Sequence, residues 1–99
     1  MTTYAMLTRL TPEAVKSPSD LVRLERSVSD RIRKECPQVK WVANYAILGP
    51  YDYLDLFEAP DETVAAKVVM IVRSFGHAHT ETWTAVPWER FKLVVAAAA

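Results

Sequence analysis

An α+β fold built on one antiparallel sheet is predicted by three features of the sequence. Four short segments carry strand character and two longer ones carry helix character, in the order β-α-β-β-α-β. The middle two strands are joined through Gly49-Pro50, a turn signal that makes them a hairpin. Each helix opens on a polar residue beside a proline, Ser17-Pro18 and Pro60-Asp61.

The first strand is expected over residues 3–10, where both parities carry apolar groups. Thr11-Pro12-Glu13 then resembles a short helix start that breaks at Ser17-Pro18. The main helix follows, with Ser17 as cap and Asp20 in its positive first turn. Leu21, Leu24, Val28 and Ile32 recur at spacings of three and four, opposite a charged face, and Pro37 ends the pattern. The second strand is expected over 39–50, with Trp41, Ala43, Tyr45 and Ile47 on one parity. The third covers 51–59, with Tyr53, Asp55 and Phe57 facing one way and Leu54 and Leu56 the other. Asp61 caps the second helix, which is apolar over most of its circumference and calls for burial on more than one side. Gly76 ends it, and a fourth strand is expected over 77–86. Residues 87–91 start a short terminal turn or helix, and the alanines at 96–99 form an uninformative tail.

Two right-handed split βαβ units around a hairpin give the ferredoxin-like βαββαβ arrangement, a four-stranded antiparallel sheet with two helices on one face. The other face should be polar in a monomer. Both parities of these strands carry apolar groups, so a second subunit packed sheet to sheet is expected, as a dimer or larger assembly. With Leu54 and Leu56 toward the helices, the open face would hold Tyr53 and Phe57 together with Trp41, Tyr45 and Trp83.

Composition narrows the function. The 99 residues form a single domain over 1–95. Twelve basic and twelve acidic side chains leave no excess positive charge of the kind general nucleic-acid binders carry. One cysteine excludes an internal disulfide framework and a cysteine-based zinc site. No apolar run approaches the roughly 20 residues of a membrane span. The opening MTTYAMLTRLTP has no basic segment followed by an apolar one, so a cytoplasmic address is expected.

The segment from Gly49 through Asp61, with Gly49, Tyr51 and Asp52 as a G-x-YD signature, resembles the GYD domain family. Tyr4, Thr11-Pro12-Glu13, Glu58-Ala59-Pro60-Asp61 and Thr80-Glu81-Thr82 extend the resemblance from about residue 3 to about residue 92. The resemblance implies a dimeric α/β barrel, in which two sheets enclose a cavity between subunits, and implies no particular reaction.

Candidate chemistry gathers in two places. At the hairpin, Tyr51 and Asp52 pair a hydroxyl with a carboxylate, while Gly49 permits a positive φ and Asp52 can bond backbone N–H groups, a purely structural use. On the strands, Asp55 interrupts an apolar parity between Tyr53 and Phe57 and needs a partner, for which His79, Arg9 or the other subunit are available. His77, His79, Glu81 and Trp83 share a parity of the last strand. An H-x-H pair lies about 7 Å apart there and could supply two metal ligands, with Glu81 or Asp55 as a third; without a fixed third ligand, His77 and His79 stay weak metal candidates and no metal is expected. Cys36 sits at the negative end of a helix, which disfavours a thiolate and fits a small apolar filler. No nucleophile triad, phosphate loop or metalloprotease motif occurs.

The ligand-binding candidates are thus Tyr51, Asp52, Tyr53, Asp55, His79, Glu81, Trp83, Trp41 and Tyr45. They support a homo-oligomer with a small-ligand pocket at the sheet face and no tightly bound cofactor. The alternatives are a small enzyme of the dimeric α/β-barrel kind, monooxygenase- or isomerase-like, and a purely structural assembly subunit. Asn44, Trp83 and His79 resemble the residue types of haem-degrading barrels. An Asp55–His79 pair within hydrogen-bond reach would favour the enzyme.

Overall fold

The computed structural model describes residues 1–15, 17–76 and 78–98. Its elements are β1 (Thr2–Leu10), a 3₁₀ turn (Pro12–Val15), α1 (Pro18–Glu35), β2 (Lys40–Ala46), β3 (Tyr53–Ala59), α2 (Glu62–Ser74), β4 (Ala78–Ala85) and α3 (Trp88–Ala98). The strands form one antiparallel sheet in the order β2-β3-β1-β4. β1 and β3 are therefore central, and β2 and β4 are edges. This is the expected element order with a third helix added.

The caps follow local chemistry. The Asp61 carboxylate accepts a hydrogen bond from the Val64 N–H at 3.0 Å, satisfying one orphan donor at the start of α2. Gly76, just past the helix, takes φ 79°, a conformation that lacks steric cost only without a Cβ. The Ser17 hydroxyl does not cap α1; it pairs with the Ser19 hydroxyl at 2.9 Å instead. Gly49 also departs from expectation: among the described residues Gly76 alone has positive φ, so the hairpin does not use that freedom at Gly49.

Strand register decides what each face of the sheet does. Toward the helices, Trp41, Phe57, Tyr4 and Thr84 form one cross-strand row. The next row is Asn44, Asp55, Met6 and Thr82, and the third is Ala46, Tyr53, Thr8 and Thr80. Phe57 is fully buried between the rings of Tyr4, centroid 5.5 Å away, and Trp41, at 5.4 Å. With Met6, Ile32, Cys36, Val68, Ile71 and Val72 these rings make the core. The expectation that Tyr53, Phe57 and Trp41 would lie on the open face is thus overturned. Tyr4 and Met6 of β1 pair with Phe57 and Asp55 and carry that whole set beneath the helices. Trp83 does lie on the open face, paired with Ala5, and Tyr45 on the edge strand pairs with Leu54 of that face, because a register shift between Trp41 and Ala43 breaks the alternation of β2; from that edge Tyr45 also borders the space under α1.

The two long helices meet the sheet differently. α2 buries Ala65, Val68, Ile71 and Val72 against it, but Met70 on its flank stays 61% exposed, so the second buried side expected for this helix is not formed. α1 has a single buried residue, Ile32, near its C-terminal end. That end is tied to α2, where Arg31 donates to the Ser74 hydroxyl at 3.1 Å and Lys67 donates to the Glu35 carbonyl at 3.3 Å. Leu21, Leu24 and Val28, nearer the N-terminus, are only half-buried. Cys36 is buried at the end of α1, and burial pushes its thiol up, as befits an inert filler.

α3 runs through Ala96–Ala98, so those alanines are helical. Every described residue of α3 is exposed, including Trp88, Phe91 and Leu93. The projection accounts for a radius of gyration of 15.1 Å and a long dimension of 52 Å, against roughly 13 Å for a compact chain of this length.

Candidate functional site

The half-buried stripe of α1 faces a cavity of about 340 Å³ between that helix and the sheet. Leu21, Leu24, Val28 and Ile32 form its roof, and Glu25 and Ser29 project from the same helical face. Its floor comes from the helix-side rows of the sheet, chiefly Thr8, Trp41, Asn44, Tyr53 and Asp55. The volume falls within the range of small-molecule pockets, and so does the lining, mostly apolar with a few polar groups.

Asp55 is the centre of those polar groups. Asn44, directly across the β2–β3 ladder, donates its amide N–H to Asp55 Oδ1 at 2.7 Å. Burial pushes the Asp55 carboxyl above the ordinary range; the Asn44 bond works against that, and the Glu25 charge adds to it. Burial likewise raises the Tyr53 phenol, with the Asp52 charge contributing. Thr8 is 3% exposed, and its hydroxyl has no hydrogen-bond partner among the described residues. Thr8 borders the cavity, while its hydroxyl oxygen is enclosed by the surrounding residues.

The other sequence candidates lie elsewhere. On the open face the Tyr51 hydroxyl donates to Glu81 Oε2, and the Trp83 indole N–H donates to Glu81 Oε1 at 2.9 Å. The bond to Glu81 raises the Tyr51 phenol, and the same bond, with that of Trp83, holds the Glu81 carboxyl low. The Arg9 guanidinium sits 5.4 Å from the Tyr51 ring centre and donates to the Pro50 carbonyl at 2.8 Å. Asp52 Oδ2 accepts from the Leu10 N–H at 2.7 Å, and the Asp52 N–H donates to the Thr8 carbonyl at 2.8 Å. The G-x-YD segment is therefore a clasp fastening the hairpin loop to the end of β1.

His79 pairs with Arg9 in the ladder and is exposed on the open face. The sheet separates it from Asp55, so neither His79 nor Arg9 is the partner that Asp55 needed; Asn44 is. The same separation parts Asn44 from Trp83 and His79. His77 lies outside the described residues. Among the described residues no group of three or more His, Cys, Asp or Glu is placed to hold a metal ion. Of the nine candidates, Trp41, Tyr45, Tyr53 and Asp55 border the cavity. Sequence reasoning missed Thr8, Glu25 and Ser29, and it singled out Asn44 without its pairing to Asp55. The signal for Glu25 and Ser29 was present, since they share a helical face with Leu21, Val28 and Ile32 at spacings of three and four.

A small α+β domain with a four-stranded antiparallel sheet and a cavity under its first helix is the class of protein that these observations define. The GYD domain profile matches residues 4–95, and the chain belongs to the GYD domain family. It is 32% identical over 91 residues to a Thermus thermophilus protein named glutamine synthetase and cystathionine beta-lyase binding protein, covering 88% of this chain and 90% of that one. The crystal structure of TTHA0845, also from Thermus thermophilus, is similar with TM-score 0.59 and 25% identity, over 88% of this chain and 95% of the other. The crystal structure of hypothetical protein PHS023 from Pyrococcus horikoshii shares the fold at TM-score 0.54 and 20% identity, over 88% and 92% of the two chains. No described helix is long and apolar enough to cross a membrane.

Proposed function

We propose that this GYD-domain chain is a ferredoxin-like subunit of a homo-oligomer, with the cavity under α1 binding a small molecule in each subunit. The cavity, with the half-buried Asp55 carboxyl on its floor, carries the ligand reading. A groove kept only for packing would gain stability by closing, with α1 lowered onto the floor. The Asp55–His79 pair that would favour acid–base catalysis is divided by the sheet, which supports binding over reaction.

Self-association uses the other face. Ala43, Leu56, Ala5 and Trp83 form an apolar row across all four strands, and Tyr45, Leu54 and Leu7 extend it. Lys40 and Glu58 border one end, and Arg9, His79 and Glu81 the other. An apolar centre with a charged rim of both signs is the composition of an interface, and a second copy of the same face supplies both halves. Two such sheets face to face give the α/β-barrel arrangement.

The test of the cavity is Val28→Trp, which fills it from the roof. Neutral aromatic fragments such as 2-phenylethanol should shift the amide resonances of Thr8, Leu24 and Asp55 in the native protein and leave the filled variant unchanged. Identical shifts in both proteins, or none in the native one, refute the site.

A second reading has its own support in the named partners of the Thermus relative: this chain docks onto a larger enzyme. The projecting apolar residues of α3 are available for it. Glutamine synthetase from the same source should then co-sediment with the native protein and not with Phe91→Asp. Independent sedimentation of the two native proteins would refute the reading for that partner.

A further inference from the structure

We infer that the cavity selects a small apolar molecule carrying a protonated amine, held between Asp55 and Glu25. The inference rests on the cavity being a ligand site and adds the chemistry of its ligand. The charged groups bordering the cavity among the described residues are two carboxylates, Asp55 from the sheet and Glu25 from α1, with no Lys, Arg or His. An anionic ligand would enter against both charges with no cation to offset its desolvation. An ammonium group meets the opposite situation. It offers three donors, and the acceptors facing it stand on opposite walls.

The hydrogen bonding agrees with this. Asn44 engages Asp55 Oδ1, and Oδ2 takes no hydrogen bond from a described side chain. Asn44 donates to Asp55 through a fixed cross-strand pair, so the carboxylate is oriented before any ligand arrives. The rest of the lining is aliphatic or aromatic, from Leu21, Leu24, Val28, Trp41 and Phe75, and suits an apolar body. Burial, with a contribution from the Glu25 charge, pushes the Asp55 carboxyl up, and a cation between the two carboxylates would act against both.

Three probes of one shape separate charge from shape: 2-phenylethylamine, 2-phenylethanol and 3-phenylpropionate. They are titrated into the full chain at pH 7 and followed through the Thr8, Leu24 and Asp55 amide resonances. The amine should bind at least tenfold more tightly than the carboxylate, with the alcohol between them. Asp55→Asn should lower amine affinity at least fivefold and leave the alcohol unchanged; Glu25→Gln, at an exposed position, should lower it less. Bound amine should also bring the Asp55 carboxyl pKa back down, read from its side-chain carbon resonance. Equal or tighter binding of the carboxylate, or an amine preference that survives Asp55→Asn, overturns the inference while leaving the cavity a ligand site. Failure of all three probes to shift those resonances overturns the inference together with the ligand site itself.

Discussion

Both faces of this sheet carry apolar side chains, and they arrange them in opposite ways. The helix-side face places Phe57, Tyr4 and Trp41 in a closed aromatic core at one end and leaves a cavity around one carboxylate at the other. The open face presents Leu54, Leu56, Tyr45 and Trp83 as a platform and keeps its charges at the ends. Hydrophobicity alone does not distinguish a core from an interface. The position of the polar groups does: carboxylates inside an apolar enclosure fit the proposed ligand, and a charged rim fits the proposed partner.

The largest expected effect breaks the closed end of the helix side. Phe57→Ala should cost about 3–5 kcal/mol of unfolding free energy, as for other buried aromatics truncated to alanine, measured by urea denaturation. Leu54→Ala in a dissociated subunit should cost far less, because Leu54 is only half-buried there. Equal losses at the two positions would erase the distinction between the faces.

The next effect belongs to the open face. Leu56→Asp places a charge at the centre of the platform and should dissociate the assembly, raising its dissociation constant at least 100-fold by sedimentation, with the helical circular dichroism unchanged. Asp52→Ala should cost about 1–2 kcal/mol, since the Leu10 N–H loses a charged acceptor. That loss should appear without any change in assembly.

Asp55 sharpens the comparison with the opposite sign. Its carboxyl is raised in the folded protein, so the folded state holds the proton more tightly than the unfolded chain does. Ionised Asp55 therefore lowers stability above its folded pKa, and the protein regains stability as pH falls through that value. Asp55→Leu should raise stability at pH 7 by about 1 kcal/mol, roughly 4–8 °C in a domain of this size, by calorimetry. The gain should shrink toward pH 4. A loss of stability at pH 7 would show that the carboxylate holds the fold together. The smallest effect is at the clasp: Tyr51→Phe should raise the Glu81 carboxyl pKa from its lowered value, read by NMR titration, because the Tyr51 hydrogen bond that does most to hold it low is gone.

How much of this was legible in the sequence depended on the kind of signal. Element order, the Asp61 cap and the Gly76 stop follow from local chemistry and are seen in the structure. The stripe of α1 was legible as a stripe, yet periodicity cannot say whether a stripe meets side chains or a cavity. Which strand parity faces the helices was not legible, because Leu54 and Leu56 are as apolar as Tyr53 and Phe57. Only pairing with Tyr4 and Met6 separates the two sets. Trp41 and Tyr45 share a parity in sequence, and the register shift sends them to different faces. Asp55 stood out as a carboxylate among aromatics, but its partner depended on the same choice of face. Asn44 carries no periodic signal, and Thr8 looks like any strand threonine until its hydroxyl is found enclosed.

The most direct test of the division between the faces is solvent paramagnetic relaxation of methyl groups in the native assembly, using a neutral soluble gadolinium chelate. Leu48, at 105% relative exposure, and Leu93, at 71%, provide exposed references, and buried Ile32 the protected one. Leu54 and Leu56 should be as protected as Ile32, while Leu21 and Leu24 at the cavity remain more strongly relaxed. Leu54 and Leu56 methyls relaxed as strongly as those of Leu48 would mean that the open face is uncovered in solution and that the two faces do not divide ligand from partner.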